Sequence, residues 1–252
     1  MKLRARFPRL QLLFLLGCIL SSFDERPARA DTVIPTGAGA RLEGKVIGVN
    51  GNNLQVQRPE GILNVPLNGI KEVQMPVPPE FARAQNAFAA KDYTNALNLA
   101  RALAEKYKGI PLDWAQQSTG MLGDLYIATK DLAKAEVAYK DFQRLYPNAG
   151  SLQAEVGMAR IALSKKDFAF ARKKLEPIGE AALKEKNITR SNGVAYSNAF
   201  LALGELKEND GDLPEALEDY LRTVTVFYYD PGAVAAAQER ADALRARKIS
   251  VP

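Results

Sequence analysis

Residues 122–135 read LGDLYIATKDLAKA, and this stretch decides the fold. Its second half is Lys130-Asp131-Leu132-Ala133-Lys134-Ala135. The same phrase returns as Lys91-Asp92-Tyr93-Thr94-Asn95-Ala96, Lys166-Asp167-Phe168-Ala169-Phe170-Ala171 and Gly211-Asp212-Leu213-Pro214-Glu215-Ala216. Its alanines stand 39, 36 and 45 residues apart. Repeats of that length mark stacked supersecondary units. Each aspartate reads as the N-cap of a helix, its carboxylate accepting from the free N–H groups of the first turn. Glu215, three residues after Asp212, adds the pattern of a capping box. The bulky residue after each aspartate is expected between two helices, and the alanine lets their backbones approach. A second small residue stands twelve positions before each alanine: Ala84, Gly123, Ala159 and Gly204.

Each unit resembles a tetratricopeptide repeat, a pair of antiparallel helices in about 34 residues. Leu122-Gly123-Asp124-Leu125-Tyr126 fits the family's L-G-x-x-Y, and Ala135, Tyr139, Phe142 and Pro147 follow in register. The other units depart from it. Ala87 and Lys207 replace the tyrosine in units one and four, and only unit two has the terminal proline in place. The resemblance implies a mainly α chain, an α-α superhelix of about four helix pairs. The units fall at about 79–113, 114–150, 151–192 and 193–230, the third carrying an insertion around 184–192 read as a polar loop or helix extension. Residues 231–248, charged and alanine-rich, read as the capping helix such arrays need.

The resemblance also implies a concave face lined by the first helices. Carried over by position, that face holds Gln85 and Phe88, then Gln117, Asp124 and Ile127, then Gln153, Arg160 and Leu163, then Leu201, Glu205 and Glu208. A mixed polar and apolar surface of this kind suits an extended peptide or a partner helix. Relatives that grip a C-terminal carboxylate use several basic groups there, whereas Arg160 is the one basic residue in this set. Phe88, Ile127 and Leu163 read equally as inter-helix core. Trp114, the one tryptophan, reads as a packing residue.

Residues 40–75 have a different texture. Apolar residues alternate, broken by Asn50-Gly51-Asn52, Pro59-Glu60-Gly61 and Asn68-Gly69 as turns. This predicts a meander of four short strands, with Leu42 and Val46 on one face of the first and Ile47 and Val49 on the other. The rhythm resembles a small SH3-like or Sm-like barrel. So small a sheet has little core of its own. It is expected either to dock on the helices that follow or to bind a partner itself. Met75-Pro76-Val77-Pro78-Pro79 then reads as a stiff linker.

The N-terminus carries the pattern of a secretory signal. Lys2, Arg4, Arg6 and Arg9 precede the apolar run of residues 10–20, too short to span a bilayer as a helix. Ala28-Arg29-Ala30 supplies a small-x-small cleavage pattern, so a mature start at Asp31 and a location in the cell envelope or periplasm are expected. Leu15-Leu16-Gly17-Cys18 offers a rival, lipidation at Cys18 and a membrane anchor, and an uncleaved anchor is a third reading. The net charge of +5 falls to +1 once residues 1–30 are set aside. A neutral remainder gives no reason to expect nucleic acid as partner.

The 252 residues contain no histidine and one cysteine. A Ser-His-Asp triad, a Cys-His dyad, a histidine metal site and a disulfide within the chain are thereby excluded. No phosphate-binding glycine loop occurs, and the Asn187-Ile188-Thr189 sequon reads as accidental. Carboxylate pairs such as Asp124/Glu136 and Glu205/Glu208 would suffice for glycoside cleavage, but they look like helix-surface charge. The sequence therefore predicts a non-catalytic scaffold of the envelope, without metal or cofactor, that binds another protein. The alternatives are a binder of peptidoglycan or another glycan through the β module, and a carboxylate-dependent hydrolase.

Overall fold

All four phrase aspartates cap a helix. In the computed structural model, which describes residues 30–37, 39–147 and 150–251, their carboxylates accept from the backbone N–H three residues on. Asp92 accepts from Asn95, Asp131 from Lys134, Asp167 from Phe170 and Asp212 from Glu215, at 3.1–3.5 Å. The helices they start are α2 (Tyr93–Tyr107), α4 (Leu132–Leu145), α6 (Phe168–Lys184) and α8 (Leu213–Thr225). Each follows a partner: α1 (Pro79–Ala89), α3 (Asp113–Ala128), α5 (Gly150–Ser164) and α7 (Arg190–Asp210). A last helix, α9 (Pro231–Ala246), completes the set. The insertion around 184–192 is both things expected of it: α6 runs on to Lys184, a short loop follows, and α7 begins at Arg190. Glu215 does not complete a capping box. Its carboxylate lies 2.9 Å from Lys207 Nζ, and the Asp212 N–H donates to the Lys207 carbonyl instead.

The small residues work as a set. Ala96, Ala135, Ala171 and Ala216 are fully buried. A Cβ on Gly123 would lie 2.5 Å from the Tyr139 ring, and one on Gly204 2.5 Å from the Tyr220 ring. Glycine on one helix thus makes room for a tyrosine sixteen residues later on the next. Units one and three use Ala84 and Ala159 at that position, both buried, as are Ala100 and Leu175 sixteen residues later.

Consecutive helices pack on each other throughout, and the odd-numbered ones also touch: α1 with α3, α3 with α5, α5 with α7, α7 with α9. They form an inner layer, the even-numbered helices an outer one. α9 also packs back on α1, so the inner layer closes on itself.

The sheet has five strands among the described residues, not the four expected. β1 (Asp31–Pro35) precedes β2 (Leu42–Asn50), β3 (Asn53–Arg58), β4 (Gly61–Pro66) and β5 (Ile70–Gln74), in the antiparallel order β4-β3-β2-β1-β5. β1 takes a central place, so β5 pairs with it rather than continuing the meander. The Asp31 carboxylate accepts the Val46 N–H at 2.8 Å and fastens the start of the strand. A bulge between Val46 and Gly48 corrects the expected faces of β2. Val46 pairs with Val56 and Val49 with Leu54. Since Leu54 and Val56 both point into the core, the extra residue brings Val49 to the same side as Val46.

That core is shared. Val33, Val46, Leu54, Val56, Val65, Ile70 and Val73 of the sheet belong to one buried cluster with Phe81, Leu103, Tyr107, Trp114 and Leu125 of α1–α3. Gly48, with φ +145°, lets β2 approach α2: a Cβ there would lie 3.0 Å from the Lys106 carbonyl oxygen. Trp114 meets Tyr107 edge to face, with ring centroids 5.0 Å apart. It is a packing residue.

Candidate functional site

The candidate groove positions do not share one environment. Gln85, Phe88, Gln117, Asp124 and Gln153 converge, from α1, α3 and α5, on one cavity. Val194 of α7 and the residues that open α9, Tyr229–Gly232, close it. Its volume is about 20 Å³, room for about one water molecule. Leu163, Glu205 and Glu208 line a second, open cleft of about 420 Å³ with Phe168, Lys166 and Arg240. Arg160 lies between the two. Ile127 lines neither and packs half-buried on the α4–α5 core. Leu201 is a core residue, 5% exposed among Leu217, Tyr220 and Leu244. Phe88 and Leu163 are each half-buried against core clusters while still facing a cavity. Cys18 lies outside the described residues, as does the signal pattern up to Arg29.

The centre of the inner face is a buried ion pair. Asp124 is 2% exposed, and its Oδ1 accepts from the Arg160 guanidinium and, at 2.8 Å, from the Tyr139 hydroxyl. Burial pushes the Asp124 carboxyl above its ordinary 3.8, against the pull of Arg160. Burial also works against the charge on Arg160, yet Asp124 beside it, with Tyr139 and Glu205 further off, leaves that guanidinium firmly protonated. The Tyr139 hydroxyl is driven well above its usual value by burial and by Asp124.

Beyond Arg160 the charges alternate. Glu205 of α7 feels both Arg160 and Arg240, although burial raises its carboxyl overall. Arg240 of α9 reaches Glu205 at 3.5 Å and Glu208 at 3.2 Å, and the Tyr220 hydroxyl donates to Glu208 at 2.7 Å. A line of opposite charges thus crosses α3, α5, α7 and α9. Three of its members, Asp124, Arg160 and Glu205, stand at the same place in their units, one residue after the small residue.

Two partners in this region escaped the sequence reading. Asn198 is buried and donates to the Asp230 carboxylate at 2.7 Å, and Asp230 caps α9 through the N–H groups of Gly232 and Ala233. Asn198 stands six residues before Gly204, as Gln117 and Gln153 stand six before Gly123 and Ala159. That offset was the available signal. Ser197 beside it donates to the Phe227 carbonyl and accepts from the Tyr229 and Asp230 N–H groups, holding the turn into α9.

Asp124, Glu205 and Glu208 are matched to cations or hydroxyls, and Asp230 to an amide and two backbone N–H groups. Among the described residues no group of three or more acidic side chains could hold a metal ion. The pair Asp124/Glu136 is split: Glu136 is on α4, bonded to Lys140 at 2.7 Å, while Asp124 is buried. A further groove of about 430 Å³ lies between α4, α5 and α6, with Met158 and the exposed Phe170 in its wall. Its lysines are engaged, Lys140 with Glu136 and Lys174 with Glu155. No helix among the described residues is long and apolar enough to cross a membrane. No protein-family model matches the chain, and no curated protein was found to match it.

Proposed function

We propose that this protein is a non-catalytic scaffold of the bacterial cell envelope, built as a tetratricopeptide-like array, that binds a peptide segment or helix of another protein along the inner face of its helices. The observation that carries this reading is the fourfold recurrence of one local design. Four consecutive helix pairs share the aspartate cap, the buried alanine and a buried small residue twelve positions before it. Arrays built this way present side chains of successive first helices on one surface, which suits an extended ligand. The accessible part of that surface is the cleft of Leu163, Glu205, Glu208 and Arg240. It offers apolar contact at Leu163 and Phe168 beside charges of both signs, Glu205 and Glu208 against Arg240 and Lys166, and so suits a partner helix with apolar and polar side chains.

Export is part of the same proposal. Its support is the charged, then apolar, then small-x-small order of residues 2–30, and the first strand beginning at Asp31, directly after that pattern. The sheet is given a structural role. Five strands in the order β4-β3-β2-β1-β5, with a 3-10 turn over Leu67–Gly69 before the last, resemble an SH3-like barrel. Its core-facing residues are committed to α1–α3, which supports docking over a separate glycan-binding task.

The test is cross-linking in the producing cells, comparing wild type with Leu163→Glu/Glu208→Gln. One dominant protein partner, lost in the variant, is the expected result. Capture unchanged by the variant would move the site off the inner face. Capture of wall glycan alone would overturn the reading.

A further inference from the structure

Buried polar side chains of the inner layer find partners inside the protein. Ser118 and Thr119 donate to the carbonyls of Trp114 and Ala115, one turn back. Ser197 donates to the Phe227 carbonyl and Asn198 to the Asp230 carboxylate. Gln153 of α5 is different. It is 6% exposed, yet its amide forms no hydrogen bond among the described residues. Gly120 of α3 clears the space for that amide. A Cβ there would lie 2.5 Å from Gln153 Nε2 and 3.0 Å from Oε1. From this seat against α3 the amide borders the cavity of about 20 Å³. A buried amide without partners is costly, so a group must meet it there.

Asp124 brings a second unmet atom to the same cavity. Its Oδ1 takes both the Tyr139 hydroxyl and the Arg160 guanidinium. Its Oδ2 has no donor among the described residues, and with Asp124 2% exposed the bulk solvent does not supply one. Gln85 and Gln117, both half-buried, add further amides to the lining.

Size and charge define the guest. The cavity has room for about one water molecule, and for no side chain or organic ligand. Empty cavities are apolar, whereas one with two to four polar partners holds water. An ion is disfavoured because the negative charge is already met. Arg160 matches Asp124. Asp230, the other carboxylate of the lining, has both oxygens engaged: Oδ1 accepts from the Gly232 and Ala233 N–H groups at 2.8 and 3.1 Å, and Oδ2 from Asn198 at 2.7 Å. What is left is a carboxylate oxygen that lacks a donor and an amide that lacks both partners. A water molecule, which both donates and accepts, serves the two together.

We propose that this cavity is a binding site for one ordered water molecule, which donates to Asp124 Oδ2 and is held by the Gln153 amide. The water joins α3 to α5 beside the turn where α9 closes the inner layer. It gives the Asp124 carboxylate the donor that Tyr139 and Arg160 leave unsupplied at Oδ2. None of this depends on the scaffold reading.

Crystals of the protein grown from sodium salt and from rubidium salt test the site. In both, a single peak is expected in the cavity, about 2.5–3.2 Å from Asp124 Oδ2 and from the Gln153 amide. The rubidium crystals should show no anomalous signal there. A signal would make the guest a cation and overturn the proposal. A cavity without density overturns it too, as does a Gln153 amide turned onto a protein group. Gln153→Met keeps the length of the side chain and removes both polar atoms, so crystals of that variant should lose the peak. A peak that stays in place would show that the amide does not hold the guest, against the proposal. The wild-type crystals decide the matter by themselves should Gln153→Met fail to fold.

Discussion

The Tyr139 hydroxyl donates to Asp124 Oδ1 at 2.8 Å, joining α4 to the centre of the inner face. The tyrosine ring reaches that point through the space that Gly123 and Gly157 leave on α3 and α5. Removing the hydroxyl leaves a buried carboxylate one donor short, a loss of about 1–3 kcal/mol. Tyr139→Phe should therefore lower stability by that amount in urea denaturation. Gly157→Ala should cost about 1–3 kcal/mol by overpacking the same ring. Because both act on one contact, the double variant should cost less than the sum of the two.

The raised carboxyl of Asp124 has a signed consequence. Its folded state holds a proton more tightly than the unfolded chain, whose carboxyl titrates near 3.8. Stability from this group is full below that pH and falls as pH rises through the folded value. Asp124→Asn should remove this part of the pH dependence, flattening melting temperature against pH just above 3.8, while leaving the variant less stable near neutrality because Arg160 loses its partner. A profile that keeps the wild-type slope there would place the titration elsewhere.

Three turns between paired helices hold a lysine in the left-handed region: Lys91, Lys130 and Lys166, with φ of 61–63°, where the fourth unit has Gly211 at +84°. A side chain costs about 1–2 kcal/mol in that conformation, part of which glycine returns as unfolded-chain entropy. Lys130→Gly should raise stability by about 0.5–1 kcal/mol. Lys130→Ala, which keeps the Cβ, should give no such gain.

The sheet's grip on the helices can be tested at Gly48. Alanine there meets both a positive φ of 145° and the Lys106 carbonyl. Gly48→Ala should cost about 1–3 kcal/mol. Trp114 sits in the same core as the sheet, so its fluorescence should report the loss together with the backbone signal.

What could be read from the sequence was whatever depends on neighbours in the chain. The caps at Asp92, Asp131, Asp167 and Asp212 act over three residues, so the phrase alone revealed them. The sixteen-residue match of Gly123 to Tyr139 and Gly204 to Tyr220 lies within one helix pair, and the small positions were found by their constant offset. The misreadings are non-local. β1 is five residues whose partners lie around residues 42–44 and 70–74, and nothing in Asp31–Pro35 alternates strongly enough to announce a central strand. The bulge in β2 shows only once Val46 and Val49 are set against Val56 and Leu54. Glu215 had two donors within reach, and the Lys207 ammonium won over a backbone N–H already satisfied by a carbonyl. The candidate groove was legible as a set of positions, but its division into a small cavity and an open cleft was not, because the wall between Gln85 and Gln153 is completed by α9, more than seventy residues downstream of Gln153.

The return of α9 to α1 also bears on how the protein comes apart. A linear stack of repeats interacts only with its neighbours, so it can fray from either end and lose its units in sequence. Here neither terminal pair is an end. The first is covered by the sheet and touches α9, which itself packs on the last, so each of the four units has a neighbour on both sides. Melting from the tips is thereby suppressed, and loss of secondary structure should follow one cooperative transition, the behaviour of a closed circuit rather than of a row of dominoes.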